Sequence, residues 1–210
     1  MGTVILLRHG RTTANAAGIL AGDTPAELDD RGRAQAAAAG ERLADLPLAA
    51  VVTSPLLRCR QTLELALPQA TPEVEADLTE CGYGDWTGRS LKELAEDPLW
   101  TTVQQHASAV TFPGGESMSA MSARAVNAVR RHDAALGPDA VWLACSHGDI
   151  IKAIVADALG LHLDQFQRIN VEPASLTLIR YTPQRPYLLR LNDLGGDLKP
   201  LVTPTVGGAA

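Results

Sequence analysis

The chain has 210 residues, 46% hydrophobic and 20% charged, which is enough apolar side chain for one ordinary core and too balanced a composition for wholesale disorder. A formal charge of −6 leaves no basic footprint for nucleic acid, so an anionic ligand must be held by local cations. No apolar stretch approaches membrane-spanning length, Val4–Leu7 is too short for a signal peptide, and Leu6 breaks the myristoylation pattern that Gly2 opens. Cys59, Cys81 and Cys145 are far apart and odd in number, which suggests reduced, buried thiols and a cytoplasmic setting.

In chain order, Thr3–Leu7 reads as a buried strand and Asn15–Asp29 as a loop. An Ala-rich helix is predicted over Asp30–Leu46, capped at Asp29 or Asp30 and stopped by Pro47. A strand at Ala49–Val52 precedes a helix with Pro55 in its first turn that runs to about Ala66. Glu73–Asp77 is a candidate strand, and Leu78–Gly88, rich in Gly and aromatics, a functional loop. Ser90–Glu96 carries the Ser-x-x-Glu capping box of a short helix. Residues 89–116 then read as a partly helical, lid-like insertion over a site. A long helix over Ser117–Leu136 ends at Gly137-Pro138. A buried strand, Ala140–Ala144, runs into Ser146-His147-Gly148, and a helix spans Asp149–Leu159. Ser175–Tyr181 and Tyr187–Leu191 are two closing strands, and residues 196–210 read as a flexible tail. This alternation predicts one domain over 1–195, a three-layer α/β/α sandwich on a mainly parallel sheet with an antiparallel edge.

Two of these strands share one design: Ile5–Gly10 and Val141–Gly148 both run from apolar residues into a His-Gly turn. If the strands are neighbours, His9 and His147 converge at their C-terminal ends, where open α/β sheets place ligands. Each following Gly permits a close backbone approach, and a helix beginning just past His147 favours an anion at its amino end. In the Thr53–Thr62 segment a strand passes into a helix that carries Arg58 in its first turn, so Arg8 and Arg58 together could grip a tetrahedral dianion. Glu80, in the functional loop, could reach the same point. A neutral imidazole nucleophile, two guanidiniums, a second histidine and a carboxylic acid suit phosphoryl transfer through a phosphohistidine. No pattern of metal ligands is present, so no cofactor is expected.

Arg8-His9-Gly10, Ser54-Pro55-x-x-Arg58, Glu80 with Gly84-x-Trp86-x-Gly88, and Ser146-His147-Gly148 occur in the order of the histidine phosphatase superfamily. The chain resembles the phosphoglycerate mutase-like branch over about residues 3–190. The resemblance implies that His9 is the phosphorylated nucleophile, that Arg8, Arg58 and His147 form the phosphate pocket with Gly148, and that Glu80 is the proton donor. By the same resemblance Asn15 and Gly22 are ligand contacts; Arg11, one residue past the His-Gly turn, and Tyr83, in the functional loop, are candidates for further ones. Tyr83 and Trp86 also fit loop packing; His106, His132 and His162 stand outside any motif.

Phosphate hydrolysis is expected over a phosphoglycerate mutase-type transfer, the alternative. No Arg or Lys occurs between Lys92 and Arg124, and Cys81-Gly82-Tyr83 follows Glu80 where the mutases resemble Glu-Arg-x-Tyr, so the cation expected beside Glu80 is missing. The expected partner is a small phosphorylated metabolite with inorganic phosphate as product. Neither nucleic acid nor membrane is expected, and a homo-oligomer is left open. Trp100, Val103, Val110 and Phe112 suggest an apolar insertion facing an organic leaving group.

Overall fold

In the computed structural model, which describes residues 1–195, six strands form one sheet. The tail expected at 196–210 lies outside the described residues. The strands are β1 (Thr3–Arg8), β2 (Leu48–Thr53), β3 (Glu73–Val74), β4 (Val141–Ser146), β5 (Leu176–Arg180) and β6 (Tyr187–Asp193). Their spatial order is β3-β2-β4-β1-β5-β6. The first four run parallel; β5 joins β1 antiparallel, and β6 pairs with β5 as the expected edge hairpin.

The helices are α1 (Thr13–Ala17), α2 (Asp30–Leu43), α3 (Leu57–Ala66), α4 (Leu91–Leu94), α5 (Leu99–Gln105), α6 (Met118–Ala135) and α7 (Gly148–Ala158). The period-2 alternation of the central strands explains the three layers. Val4 and Leu6 of β1, with Trp142 and Ala144 of β4, face the core built with α6 and α7. Ile5, Leu7, Leu143 and Cys145 face the opposite layer with α2 and α3.

Several boundaries differ from expectation, each for a local reason. The loop expected from Asn15 contains part of α1, whose capping box joins Thr12 to Asn15. Helix α2 stops at Leu43, short of Leu46, because the residue before Pro47 resists helical backbone. Pro55 lies outside α3, whose N-cap is Leu56. Only Glu73–Val74 pairs as a strand, and a 3₁₀ turn, Ala76–Leu78, follows. A 3₁₀ turn at Leu163–Arg168, unmarked in the sequence, buries Phe166.

The insertion is helical at α4 and α5, with the predicted Ser90–Glu93 capping box in place. Its apolar residues have a different destination from the one expected. Val103, Val110 and Phe112 are buried in the main core beside Trp86 and Met118, so their apolarity reflects packing rather than a pocket lining. Trp100 is half-buried and stacks on Trp86.

Candidate active site

Parallel pairing sets Arg8 opposite Ser146, so β1 and β4 end level with each other. The His9 N–H donates to the Ser146 carbonyl (3.0 Å), and the Ser54 N–H, past the end of β2, donates to the Cys145 carbonyl (3.0 Å). Three strand ends therefore deliver His9, His147 and the start of α3 to one place. The His9 and His147 rings lie 5.2 Å apart, as expected if the two strands were neighbours. His147 is also the N-cap of α7, so the helix's amino end opens here.

Gly10 makes a close backbone approach within the protein itself. A β-carbon there would lie 2.5 Å from the Gly32 carbonyl, so the glycine lets the turn after His9 rest on α2. The turn is tied further by the Gly10 N–H, which donates to Thr62 Oγ1 (3.0 Å).

His9 is 3% exposed, and its Nδ1 lies 2.7 Å from the Gly10 carbonyl. A carbonyl only accepts, so Nδ1 carries the proton and Nε2 keeps its lone pair. Burial, then the neighbouring Arg8 and Arg58 guanidiniums, hold the imidazole pKa well below its ordinary value. The ring is thus neutral, with the lone pair of Nε2 left free.

Arg58 is 2% exposed and is oriented through three hydrogen bonds. Nε donates to His147 Nδ1 (3.2 Å), one terminal nitrogen to the Thr24 carbonyl (3.2 Å), and the other to the Gly22 carbonyl (2.6 Å). Two of its five N–H donors are left for an anion. Arg8 donates to the Val171 carbonyl, while its Nε is buried and unpartnered among the described residues. A β-carbon on Gly148 would lie 3.5 Å from that Nε, which places the orphan donor against the first residue of α7. A buried, unsatisfied guanidinium N–H at a helix amino end is suited to an anion.

Both nitrogens of His147 are engaged within the protein. Nδ1 accepts from Arg58, so Nε2–H donates to Ser54 Oγ (2.7 Å). Burial, then Arg58, His9 and Arg8, keep this ring neutral too. Cys59 Sγ lies beneath it, 3.5 Å from Nε2, and all three cysteines are unpaired and buried.

Glu80 is half-buried, and its Oε1 accepts from the Cys81 N–H (3.0 Å). Burial and the neighbouring Asp149 carboxylate push its pKa up to about 7, against the pull of Arg58 and Arg8. Asp149, in the first turn of α7, accepts from the Tyr83 hydroxyl (2.8 Å) and pairs with Lys152 (3.5 Å). Tyr83 is buried edge-to-face on Phe112, so the packing reading of this residue holds for its ring while its hydroxyl orients Asp149.

The remaining candidates sit in supporting positions. Gly22, with φ of +55°, offers its carbonyl to Arg58. Asn15 Oδ1 accepts from Thr12 N–H and Oγ1–H in the cap of α1. Arg11 Nε is bound to Asp29 (2.8 Å), which draws it toward the start of α2. His106 and His162 are exposed and flank Asp164, and His132 pairs with Glu75. Sequence reasoning gave no role to Ser54, Thr62, Asp149 or Val171; Asp149, two residues past His147, had a positional signal, and Val171 had none. Among the described residues no group of three His, Cys, Asp or Glu side chains could hold a metal ion, and no helix is long and apolar enough to cross a membrane.

Comparison with known proteins agrees with this geometry. The chain is 32% identical over 191 residues to a protein named probable phosphoglycerate mutase GpmB from Erwinia tasmaniensis, covering 88% of this chain and 87% of that one. It is 34% identical over 176 residues to an acid phosphatase of Mycobacterium tuberculosis, covering 82% and 83%. The solved structure of a mycobacterial glucosyl-3-phosphoglycerate phosphatase with VO3 superposes with a TM-score of 0.82 at 26% identity, covering 92% of this chain and 100% of that one. The profile of the histidine phosphatase superfamily (branch 1) matches residues 4–194. Sheet order, paired histidines and the order of the motifs thus converge, and the chain belongs to the histidine phosphatase superfamily, branch 1.

Proposed function

We propose that this enzyme hydrolyses a small organic phosphomonoester, without a metal ion, through a phosphohistidine on His9. One observation carries the reading: Nδ1–H of His9 is committed to the Gly10 carbonyl, which leaves the Nε2 lone pair free on a buried ring that feels the Arg8 and Arg58 guanidiniums. The phosphoryl group is held by Arg8, Arg58 and the amino end of α7 at Gly148. Nε2 attacks phosphorus as the ester P–O bond breaks, and Glu80 gives its proton to the departing oxygen. The Glu80 carboxylate then takes a proton from water as the water oxygen attacks phosphorus, the N–P bond breaks, and inorganic phosphate leaves. His147 acts by holding Arg58. Asn15, Gly22, Arg11 and Tyr83 support the site from its rim, and residues 89–116 form its lid.

The relative named a probable phosphoglycerate mutase keeps phosphomutase chemistry as the second reading. Two features favour hydrolysis. No Arg or Lys lies between Lys92 and Arg124, and Arg124, the cation nearest the Glu80 backbone, is committed to the Asp77, Thr79 and Glu80 carbonyls and to Glu116, which leaves it no donor for a second acidic group of a substrate. The buried thiols fit the cytoplasmic setting read from the sequence.

The test is phosphate release from a panel of phosphomonoesters in EDTA, 3-phosphoglycerate included, with His9→Ala alongside. Release by the native enzyme alone supports the proposal. Interconversion of 3- and 2-phosphoglycerate with little phosphate release overturns it in favour of the mutase.

A further inference from the structure

Arg124 lies in the first half of α6 and has spent all five of its N–H donors. One terminal nitrogen donates to the carbonyls of Asp77 and Thr79 (2.7 Å each). The other donates to the Glu80 carbonyl (3.1 Å) and Glu116 Oε1 (2.6 Å), and Nε donates to Glu116 Oε2 (3.1 Å). Glu116 continues the chain of contacts: Oε1 accepts from the Gly82 N–H (2.8 Å), and its own N–H donates to the Gly82 carbonyl (2.8 Å).

Glu80 is therefore bracketed, with its own carbonyl and those just before it on Arg124 and the residue two ahead on Glu116. The Leu78–Gly88 segment has no strand ladder to satisfy these groups, and one guanidinium serves in its place. The bracket also fastens the end of the insertion to the acid loop. A β-carbon on Gly84 would lie 2.1 Å from the Pro113 carbonyl, and one on Gly115 2.1 Å from the Gly82 carbonyl, so Pro113–Glu116 and Gly82–Gly84 run in backbone contact.

We infer that Arg124 and Glu116 are positioning residues for the proton donor, a clamp that sets where the Glu80 carboxyl stands and makes it move with the insertion. The inference rests on Glu80 being that donor. A phosphate pocket built at the strand ends of β1 and β4 does not need the clamp; a correctly placed acid does.

The test measures phosphohistidine formation and steady-state turnover with an alkyl phosphate, which needs the proton, and an aryl phosphate, which does not. Glu116→Gln, Arg124→Gln and Glu80→Gln are compared, with vanadate inhibition reporting the phosphate pocket. Arg124→Gln is expected to slow the alkyl ester by roughly tenfold or more, within the range of a general acid, and the aryl ester by less than about threefold. KM and vanadate inhibition should stay near native, and Glu116→Gln, nearly isosteric, should show the same pattern more weakly. In the Glu80→Gln background Arg124→Gln should add little, since its effect is already lost.

Should Arg124→Gln fold poorly, Glu116→Gln and its combination with Glu80→Gln give the same reading. Equal slowing of both esters by the clamp variants, beside selective slowing by Glu80→Gln, overturns the clamp and leaves the acid assignment standing. Equal slowing by Glu80→Gln itself overturns the acid assignment and the clamp with it.

Discussion

Arg58 and His147, 89 residues apart, share a buried hydrogen bond from Nε to Nδ1 at 3.2 Å. The bond fixes the His147 tautomer and points the guanidinium at the same time. Lysine can donate at one point but cannot span His147, Gly22 and Thr24 together. Arg58→Lys should therefore lower kcat/KM by about 10²–10³, comparable to losing a preorganised charge-stabilising donor, and weaken phosphate or vanadate inhibition in parallel. Near-native kinetics in Arg58→Lys would show that only the charge matters.

The two titrating groups at the reaction centre predict the pH profile. His9 is held well below its ordinary pKa, so its ring stays neutral on the acid side of neutrality, as the proposed nucleophile must. Glu80 stands at about 7 and, as the proposed proton donor, must be protonated to assist the leaving oxygen. Turnover of alkyl phosphates should fall as pH rises through about 7, while an aryl phosphate should show a much weaker basic limb. Asp149→Asn removes the carboxylate that, after burial, raises Glu80, so it should move that limb toward acid. An unmoved limb in Asp149→Asn would assign the titration to another group.

The same shift has a consequence for stability. Folded Glu80 binds its proton more tightly than the unfolded chain does, with a pKa of about 7 against 4.5. The stability it contributes is complete below 4.5 and is lost as pH rises through 7. Above 7 a partly buried carboxylate is a burden, and Glu80→Gln should stabilise the protein by about 1–3 kcal/mol at pH 8. The gain should vanish at pH 4. Thermal melts of both proteins at the two pH values check it; a gain of the same size at both would remove the electrostatic cause.

The sequence announces the centre of the site more clearly than its support. Arg8, His9 and His147 are legible because apolar strands stop at them, and a break in hydrophobic patterning is local information. Arg58 is legible from its place just inside a helix that follows a strand. Ser54, Asp149 and Arg124 take their roles from partners 93, 66 and 47 residues away, which no short window contains. The insertion shows a different limit. Val103, Val110 and Phe112 are equally apolar whether they line a pocket or fill a core, and only their contacts decide for the core. Helix α1 was hidden because five residues are too few to carry a period.

Ser54 offers the sharpest test of the second histidine. Its hydroxyl accepts from His147 Nε2 (2.7 Å) and from the Leu56 N–H (3.3 Å), at the junction between β2 and α3. Ser54→Ala leaves a buried N–H without an acceptor, at a cost of about 1–3 kcal/mol, and frees the ring to exchange tautomers. A ring protonated on Nδ1 can no longer accept from Arg58, so the guanidinium loses one of its three anchors. The variant should therefore lose about tenfold in kcat/KM on aryl and alkyl esters alike, because pocket geometry rather than proton donation is disturbed. Ser54→Thr, which keeps a hydroxyl, should recover part of that loss. A leaving-group-dependent defect in Ser54→Ala would instead connect His147 to the proton donor, and an unchanged kcat/KM would show that the Ser54 bond does not orient the pair.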